Sequence, residues 1–318
     1  MKILFCAFPD ALREPDPCFQ REWEAVDALG IEWRVFSFDA FLDGNMDRAF
    51  KFLLPGTGQT LLYRGWILRE AEHAALSREL ALRGYRLLTS TKQYANTAYL
   101  PNYFPHISEW SPPALWTDGP DLESAWKLAR QFGREPWIVK DYVKSAKERW
   151  HEACFVPRGA TKRQFLQVCR KLLEFQGERF ERGFVVRPFI PLAFLEESPF
   201  GYPLFEEYRL FFLQGRLIAS APYHRVGPEL ENPAQFGVLG EVIDSPFFSA
   251  DVARTAAGGL TLIEIGDGGV SGMPPRLDLP SFFEKLAQAN AEERTSAFAD
   301  APRRMAPASR KPSALPKS

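Results

Sequence analysis

Several things are scarce in this sequence, and each shortage removes a class of function. Of 318 residues only four are cysteine (Cys6, Cys18, Cys154, Cys169), with no C-x-x-C pair, which argues against a zinc ribbon, a redox motif or a dense disulfide framework. The four histidines (His73, His106, His151, His224) include no H-E-x-x-H pairing, so a zinc hydrolase is not expected. Charge of one sign is also missing. Lys and Arg number 39 against 40 Asp and Glu, a net of −1, and so weak a field disfavours a nucleic-acid partner held by bulk charge. Charges or prolines interrupt every hydrophobic stretch before the roughly 20 apolar residues of a membrane helix, so no membrane partner is expected. The opening run Met1 to Phe8 ends at Pro9-Asp10, too brief for a signal-peptide core of roughly 7 to 15 residues. The expected location is the reducing cytoplasm.

Common nucleotide and metal signatures are absent as well. Gly56-Thr57-Gly58-Gln59-Thr60 lacks the Gly-Lys-Ser/Thr of a P-loop and reads as a turn. Lys140-Asp141 lacks the Lys-x-Asp-Gly arrangement of nucleotidyl ligases, and Asp267-Gly268 lacks the alternating acids of an EF-hand.

What is present is apolar matter for a core, 46% of residues, on a chain long enough for about two domains of roughly 100 to 200 residues each. Lys2 to Phe8 reads as a buried strand. Phe19, Trp23 and Val26 recur at helical spacing up to Gly30, and Ile31 to Phe38 turns strand-like again, a β-α-β pattern. Leu61 to Leu68 predicts a further strand, Arg69 to Arg83 a helix and Tyr85 to Leu88 a short strand, so residues 1–105 are expected to form an open α/β domain. Five prolines from Pro101 to Pro120 predict a linker or domain edge, since proline blocks helix continuation and sheet ladders alike.

Beyond it, Leu122, Ala125, Trp126, Ala129 and Phe132 line one helix face, and Trp137 to Lys140 is a strand that ends on a lysine. Thr161 with Gln164 reads as a capping box, opening a helix whose apolar stripe is Phe165, Cys169 and Leu172. From Gly183 the chain is strand-rich, with Glu207 to Leu213 and Arg216 to Ala221 expected as a hairpin across Gln214-Gly215.

The geometry richest in chemistry is a second hairpin between Phe247 and Gly268. With Ala257-Gly258 as its central turn residues, Arg254 faces Thr261 and Asp251 faces Glu264. Like charges directly opposite each other repel, their Cβ atoms being about 4.5 to 5.5 Å apart, so a cation is expected between the two acids. A divalent ion such as Mg²⁺ takes oxygen from one or two carboxylates together with substrate phosphates, and Asp267 could add another oxygen. The plainer reading, acids turned to solvent on an edge hairpin, stays open. Against it stands the apolar setting of Leu260, Leu262, Ile263 and Ile265, in which an unpaired carboxylate is costly. Lys140, Lys144 and Arg209 supply the cations that phosphates need, Arg209 alternating with Glu207 onto one face of the earlier hairpin.

These segments together carry a resemblance. Val139-Lys140-Asp141, Val185 to Ile190, Glu207 to Phe212, Asp251-Val252-Ala253 and Leu262 to Gly272 resemble, in order and spacing, the ATP-grasp superfamily and in particular its R2K clade, over roughly residues 1 to 280. The resemblance implies an α/β and α+β architecture: an N-terminal Rossmann-like pre-ATP-grasp domain (1–105) and two ATP-grasp subdomains (106–182 and 183–286). It implies ATP and Mg²⁺ as cofactors, with Lys140 and Lys144 on the phosphates, Val186, Arg187 and Phe189 along the adenine, and Glu207 and Arg209 also in the nucleotide site. Arg209 would steady the transferred phosphate, and Asp251, Glu264 and Asp267 would hold the metal. The implied activity is an ADP-releasing carboxylate-amine ligase that works through an acylphosphate on an amino acid, a peptide or a similar small acceptor. No Gly-rich loop is found at Ser145 to Arg149, where Lys147 and Arg149 could substitute by charge, and the Glu-x-Asn metal pair of many relatives is absent at Glu264.

Two other readings stay open: a nucleotide-binding interaction module without ligase activity, and a small-molecule kinase. His224 and Arg64-Gly65-Trp66 are further candidates for touching an acceptor. The last 18 residues hold five basic and no acidic side chains and four prolines, so 287–318 are expected to be a disordered basic tail suited to an acidic partner.

Overall fold

Apolar residues at every position from Ile3 to Ala7 suit a strand covered on both faces, and this strand (β1, Lys2–Phe8) is central to the first sheet. The structure, a computed structural model, describes residues 1–288. β1 pairs antiparallel at one end with β2 (Ala11–Pro15), and in parallel with β3 (Trp33–Phe36) on one side and β4 (Gln59–Arg64) on the other. β5 (Tyr85–Leu87) adds to β4, giving the parallel order β3-β1-β4-β5. Helices α1 (Gln20–Ala28), α2 (Phe38–Leu42), α3 (Met46–Ala49) and α4 (Glu70–Leu82) lie between successive parallel strands, as parallel pairing requires.

The strand expected to reach Leu68 stops at Arg64. Gly65 instead gives its N–H to the Gly269 carbonyl at 3.1 Å, and a Cβ there would stand 2.5 Å from the Cys6 sulfur and the Tyr63 hydroxyl. The proline-rich stretch does not begin as a linker either. After α5 (Thr91–Ala98) comes α6 (Leu100–Ile107), with Pro101 in its first turn, where no intrahelical N–H is needed, and Pro105 inside it. Burial of Leu100, Tyr103 and Ile107 at helical spacing outweighs the bond lost to Pro105.

A second sheet comprises β6 (Leu115–Trp116), β7 (Trp137–Lys140), β8 (Phe155–Val156) and β9 (Val185–Pro188), all antiparallel, in the order β6-β9-β7-β8. It shares a core with α7 (Leu122–Ala129) and α8 (Lys162–Gln176), built on Trp137, Val139, Phe165, Cys169 and Val186. The capping box forms as read: Thr161 N–H donates to Gln164 Oε1 at 2.8 Å, and Gln164 N–H returns to the Thr161 hydroxyl at 3.4 Å.

After a small hairpin, β10 (Phe194–Glu197) with β11 (Pro203–Phe205), the chain forms a third sheet of β12 (Glu207–Leu213), β13 (Arg216–Pro222), β14 (Phe247–Arg254) and β15 (Leu260–Asp267), in the order β13-β12-β14-β15. Gln214 and Gly215 both have positive φ (49° and 76°), the turn that suits the twist of a two-residue hairpin. One face of this sheet, with Tyr208, Leu210, Phe212, Phe248 and Ala250, packs on α5 and α6. On the other face Phe211, Leu213 and Phe247 join the core of the first sheet, together with Phe282 and Phe283 from the helical residues 279–288. Of the tail read as disordered and basic, residues 289–318 lie outside the described residues.

Candidate functional site

The period of two along β12 puts Glu207 and Arg209 on the face that Phe211 and Leu213 share further along, so this face is polar at one end and docked at the other. Arg209 has Asp251 of β14 as its cross-strand neighbour, and Asp251 has Glu264 of β15. The acid pair read from the turn is therefore present, by a different route. Arg254 pairs with Leu260 rather than Thr261, and a bulge between the Val252–Leu262 and Asp251–Glu264 pairs shifts the register by one residue. Ile263, the residue so inserted, sends its carbonyl to Arg187 Nη1 at 2.8 Å.

The cations arrive from two directions. Arg209 holds Asp251 with a two-point fork, Nε to Oδ1 at 2.8 Å and Nη2 to Oδ2 at 2.7 Å. Lys140, at the end of β7 in the facing sheet, reaches Glu264 Oε1 at 2.5 Å and the Val143 carbonyl at 3.1 Å. Lys147 meets Glu207 at 3.3 Å, and both Lys147 and Arg209 lie over the Tyr223 ring. The charges answer one another. Glu207 draws the Lys147 ammonium upward in pKa, while burial pushes the Glu264 carboxyl up and Lys140, Lys147 and Arg209 outweigh it, leaving Glu264 below its usual range. Arg209 loses by burial and gains more from Asp251, so it stays firmly charged.

These groups line one cleft of about 1370 Å³ between the sheets. Phe189, Phe205 and Trp150 make one end of it apolar: Trp150 meets Phe189 edge-on with centroids 5.9 Å apart, and Phe189 lies 6.3 Å from Phe205. Lys144 is exposed on the lining, and His224 is half-buried beside Tyr223, with burial drawing its pKa down. Asp141, which the sequence reading passed over, shapes the lysine-bearing loop. Its Oδ1 accepts from the N–H groups of Val143 (2.7 Å) and Lys144 (2.5 Å), and its Oδ2 from Glu181 N–H (3.2 Å), an Asx-type turn just after a strand.

Three expected site residues are placed differently. Val186 is fully buried in the core of the second sheet and does not line the cleft, because alternation along β9 turns it away from the side that Arg187 takes. Arg187 borders the cleft but is spent on structure: beyond Ile263 it donates to the Ser111 hydroxyl (2.7 Å) and the Pro112 carbonyl (2.8 Å), and burial lowers its pKa. Asp267 parts from the acid pair. An offset of three along a strand puts it on the face opposite Glu264, and there it accepts from Gly269 N–H at 2.8 Å in a small cavity with Tyr63, His73 and Thr89.

Burial pushes Asp267 up to about 7 from 3.8, ahead of the opposing Gly269 N–H and Arg64, and its Oδ2 has no hydrogen-bond partner. A carboxyl raised in the folded state holds more protons there than in the unfolded chain between about pH 4 and 7, so its contribution to stability falls as pH rises through that window. Buried His73, drawn down to about 4 from 6.5, acts oppositely and favours the fold as pH rises from 4 to 6.5. Asp267→Asn removes the first effect alone. The stability of the variant relative to the native chain is expected to grow from pH 4 to pH 7 by on the order of 3 kcal/mol and then level off. Urea titrations at a series of pH values check this, and a difference that stays flat would contradict it.

Behind the site lies a group that the sequence did not reveal as a pair. Arg64, 1% exposed, forks onto Glu22 of α1 (2.7 and 2.8 Å) and also donates to the carbonyls of Gly268 (2.6 Å) and Ser271 (3.0 Å). The segment after β15 is thus tied to the end of β4, and Arg209 Nη1 holds the same segment at the Gly272 carbonyl (2.8 Å). Gly269 permits the crossing, since a Cβ there would lie 2.5 Å from the Tyr63 carbonyl.

Among the described residues no group of three or more His, Cys, Asp or Glu forms a ready metal cage. Asp251 and Glu264 remain as two adjacent carboxylates, a donor set that suits Mg²⁺ completing its shell with phosphate and water rather than with protein. No helix among the described residues is long and apolar enough to cross a membrane.

Solved structures share the fold: D-cycloserine synthetase DcsG, at TM-score 0.59 and 13% identity over 91% of this chain and 99% of that one, and D-alanyl-alanine synthetase A from Vibrio cholerae O1, at 0.57 and 13% over 94% and 99%. ATP-grasp ligase PsnB, complexed with a minimal precursor, Mg and ADP, matches at 0.52 and 14% over 91% and 98%. No curated protein matches the sequence. The profile of the ATP-grasp domain, R2K clade family 3, matches residues 123–289, more than half of the chain, including Lys140, Lys147, Glu207, Arg209, Asp251 and Glu264 but not the Arg64–Glu22 pair. The chain belongs to this R2K clade family of ATP-grasp domains.

Proposed function

We propose that the cleft binds ATP with Mg²⁺ and joins a carboxylate to an amine, on an amino acid, a peptide or a similar small acceptor. The observation that carries this reading is the meeting of Lys140 and Arg209 with Asp251 and Glu264, from two facing sheets, on the wall of one cleft. On this reading the parallel sheet is a Rossmann-like domain preceding the two nucleotide-binding sheets, with boundaries near residues 105, 182 and 286. Fold neighbours include a ligase bound to a precursor, Mg and ADP and synthetases named for D-cycloserine and D-alanyl-alanine, in line with such substrates.

In the reaction a carboxylate oxygen of one substrate attacks the γ-phosphorus, the bond to the bridging oxygen breaks, and ADP leaves with the electron pair. The amine of the second substrate then attacks the acyl carbon, inorganic phosphate departs, and the amine nitrogen gives up a proton. Charge spreads over the γ-phosphoryl oxygens during the first step, so preplaced cations lower its barrier. Lys140 and Lys144 hold phosphate oxygens, and the Arg209 guanidinium orients the transferred group. Phe189 and Phe205 exclude water around the adenine. Bound magnesium, which Asp251 and Glu264 would hold, supplies further neutralisation of phosphate charge.

A thermal melt with ATP or a non-hydrolysable analogue tests the reading. Nucleotide at 100 times its dissociation constant should stabilise the chain by about 2.7 kcal/mol. The shift is expected to require Mg²⁺ and to vanish in Asp251→Asn/Glu264→Gln. No shift at millimolar nucleotide would overturn the proposal. One observation favours the second reading, a nucleotide-binding module without turnover: both acids are already neutralised by Arg209 and Lys140. Nucleotide binding with no ADP release across a panel of amino acids and peptides would select it, and a phosphorylated rather than amidated product would indicate a kinase.

A further inference from the structure

The cleft is longer than a nucleotide needs. Sites for one small ligand occupy about 300–1,000 Å³, whereas this one, at about 1370 Å³, continues past Arg209 to a wall formed by Phe19 and Trp66 of the first sheet. Trp66 follows the carboxyl end of β4, the edge at which open parallel sheets receive ligands. Trp66 is 42% exposed although it stands in a concave wall. The ring is also held in place: the Tyr63 hydroxyl donates to the Trp66 carbonyl at 2.7 Å, and the ring leans edge-on against buried Phe19 with centroids 5.3 Å apart. A fixed, open indole offers a large apolar contact at little entropic cost.

Charge sharpens the picture. Most basic side chains of the cleft already answer a carboxylate: Arg64 with Glu22, Arg179 with Glu72, Lys140 with Glu264, Lys147 with Glu207 and Arg209 with Asp251. Among the described residues three cleft cations pair with no carboxylate: Arg187, whose fork is taken up by the Ser111 hydroxyl and the Pro112 and Ile263 carbonyls, Lys144 at the nucleotide end, and Arg21, two residues from Phe19 of the Trp66 wall. Arg21 is exposed and gives one N–H to the Pro275 carbonyl at 3.0 Å, leaving the rest of its fork for an incoming anion. Glu24, one turn along α1, is engaged by Gln20 at 2.7 Å.

We infer that Trp66 and Arg21 form the second-substrate subsite, selecting a ligand that carries an aromatic or bulky apolar group beside a carboxylate, with the apolar group on Trp66 and the carboxylate on Arg21. The inference rests on the nucleotide reading of the opposite end, and it is tested without relying on turnover. L-phenylalanine, L-alanine and L-phenylalaninamide are titrated calorimetrically into the full chain, alone and with a non-hydrolysable ATP analogue and Mg²⁺. Phenylalanine is expected to bind at least 10-fold more tightly than either control. Trp66→Ala should erase the preference over alanine while Trp66→Phe keeps most of it, and Arg21→Gln should erase the preference over the amide. Affinity for the nucleotide analogue should stay within 2-fold in all three variants. Equal binding of the three probes, or none, overturns the subsite while a nucleotide signal leaves the catalytic reading intact. Discrimination among the probes without any nucleotide signal would do the reverse.

Discussion

Arg64→Met is expected to destabilise the chain by about 3 to 5 kcal/mol, because it leaves the buried Glu22 carboxylate without its partner. Both residues are nearly free of water, and the guanidinium also satisfies two backbone carbonyls at Gly268 and Ser271, which would become unpaired acceptors. A second change separates charge from shape. Glu22→Leu added to Arg64→Met removes the stranded carboxylate and should recover more than half of the loss, since apolar residues of similar volume commonly replace a buried ion pair at little cost. Equilibrium urea unfolding of the two variants decides the matter. If the double variant is no more stable than the single one, the cost lies in the two carbonyls and not in the ion pair.

The second large effect is on nucleotide binding. Lys140→Met is expected to abolish the Mg²⁺-dependent stabilisation by ATP and to lower any ADP release at least 100-fold, the scale on which loss of a group that stabilises transition-state charge is felt. It should also destabilise the chain by itself, since Glu264 loses its closest cation in a setting where burial already pushes its carboxyl up. Lys140→Met/Glu264→Gln distinguishes the two consequences. The double variant is expected to regain stability in urea and to remain blind to ATP in the thermal melt. Recovery of the ATP shift along with stability would mean that neither Lys140 nor Glu264 is needed to hold the nucleotide or its magnesium.

Much of the fold was legible because local chemistry and tertiary structure agree. The Thr161–Gln164 cap, the Gln214-Gly215 turn and the continuous apolar run of β1 each satisfy a backbone or burial demand within a few residues of themselves. The proline stretch misled because a helix can place one proline in its first turn and bury enough of its own face to carry another. The Asp251–Glu264 pairing was found although the turn was misplaced: the strands run one residue out of the assumed register until the bulge at Ile263 restores it. A bulge has no sharp sequence signature, and here its carbonyl is met by Arg187, which lies 76 residues earlier.

The sequence by itself determined which chemistry this chain can hold. Its motifs, in order, placed the paired acids and four of the basic residues that now line one cleft, because residue type and alternation along a strand are properties of neighbours in the chain. Tertiary structure alone decided which of these groups meet. Val186 left the cleft and Asp267 turned away from Glu264 through strand parity in their own sheets, Lys140 found Glu264 across the gap between two sheets, and Arg64 found Glu22 through a parallel crossover. The physical reason is distance along the chain. Backbone alternation is enforced every two residues, whereas a contact between residues separated by 124 positions depends on how whole sheets dock, and docking is settled by the summed packing of cores that no single motif encodes.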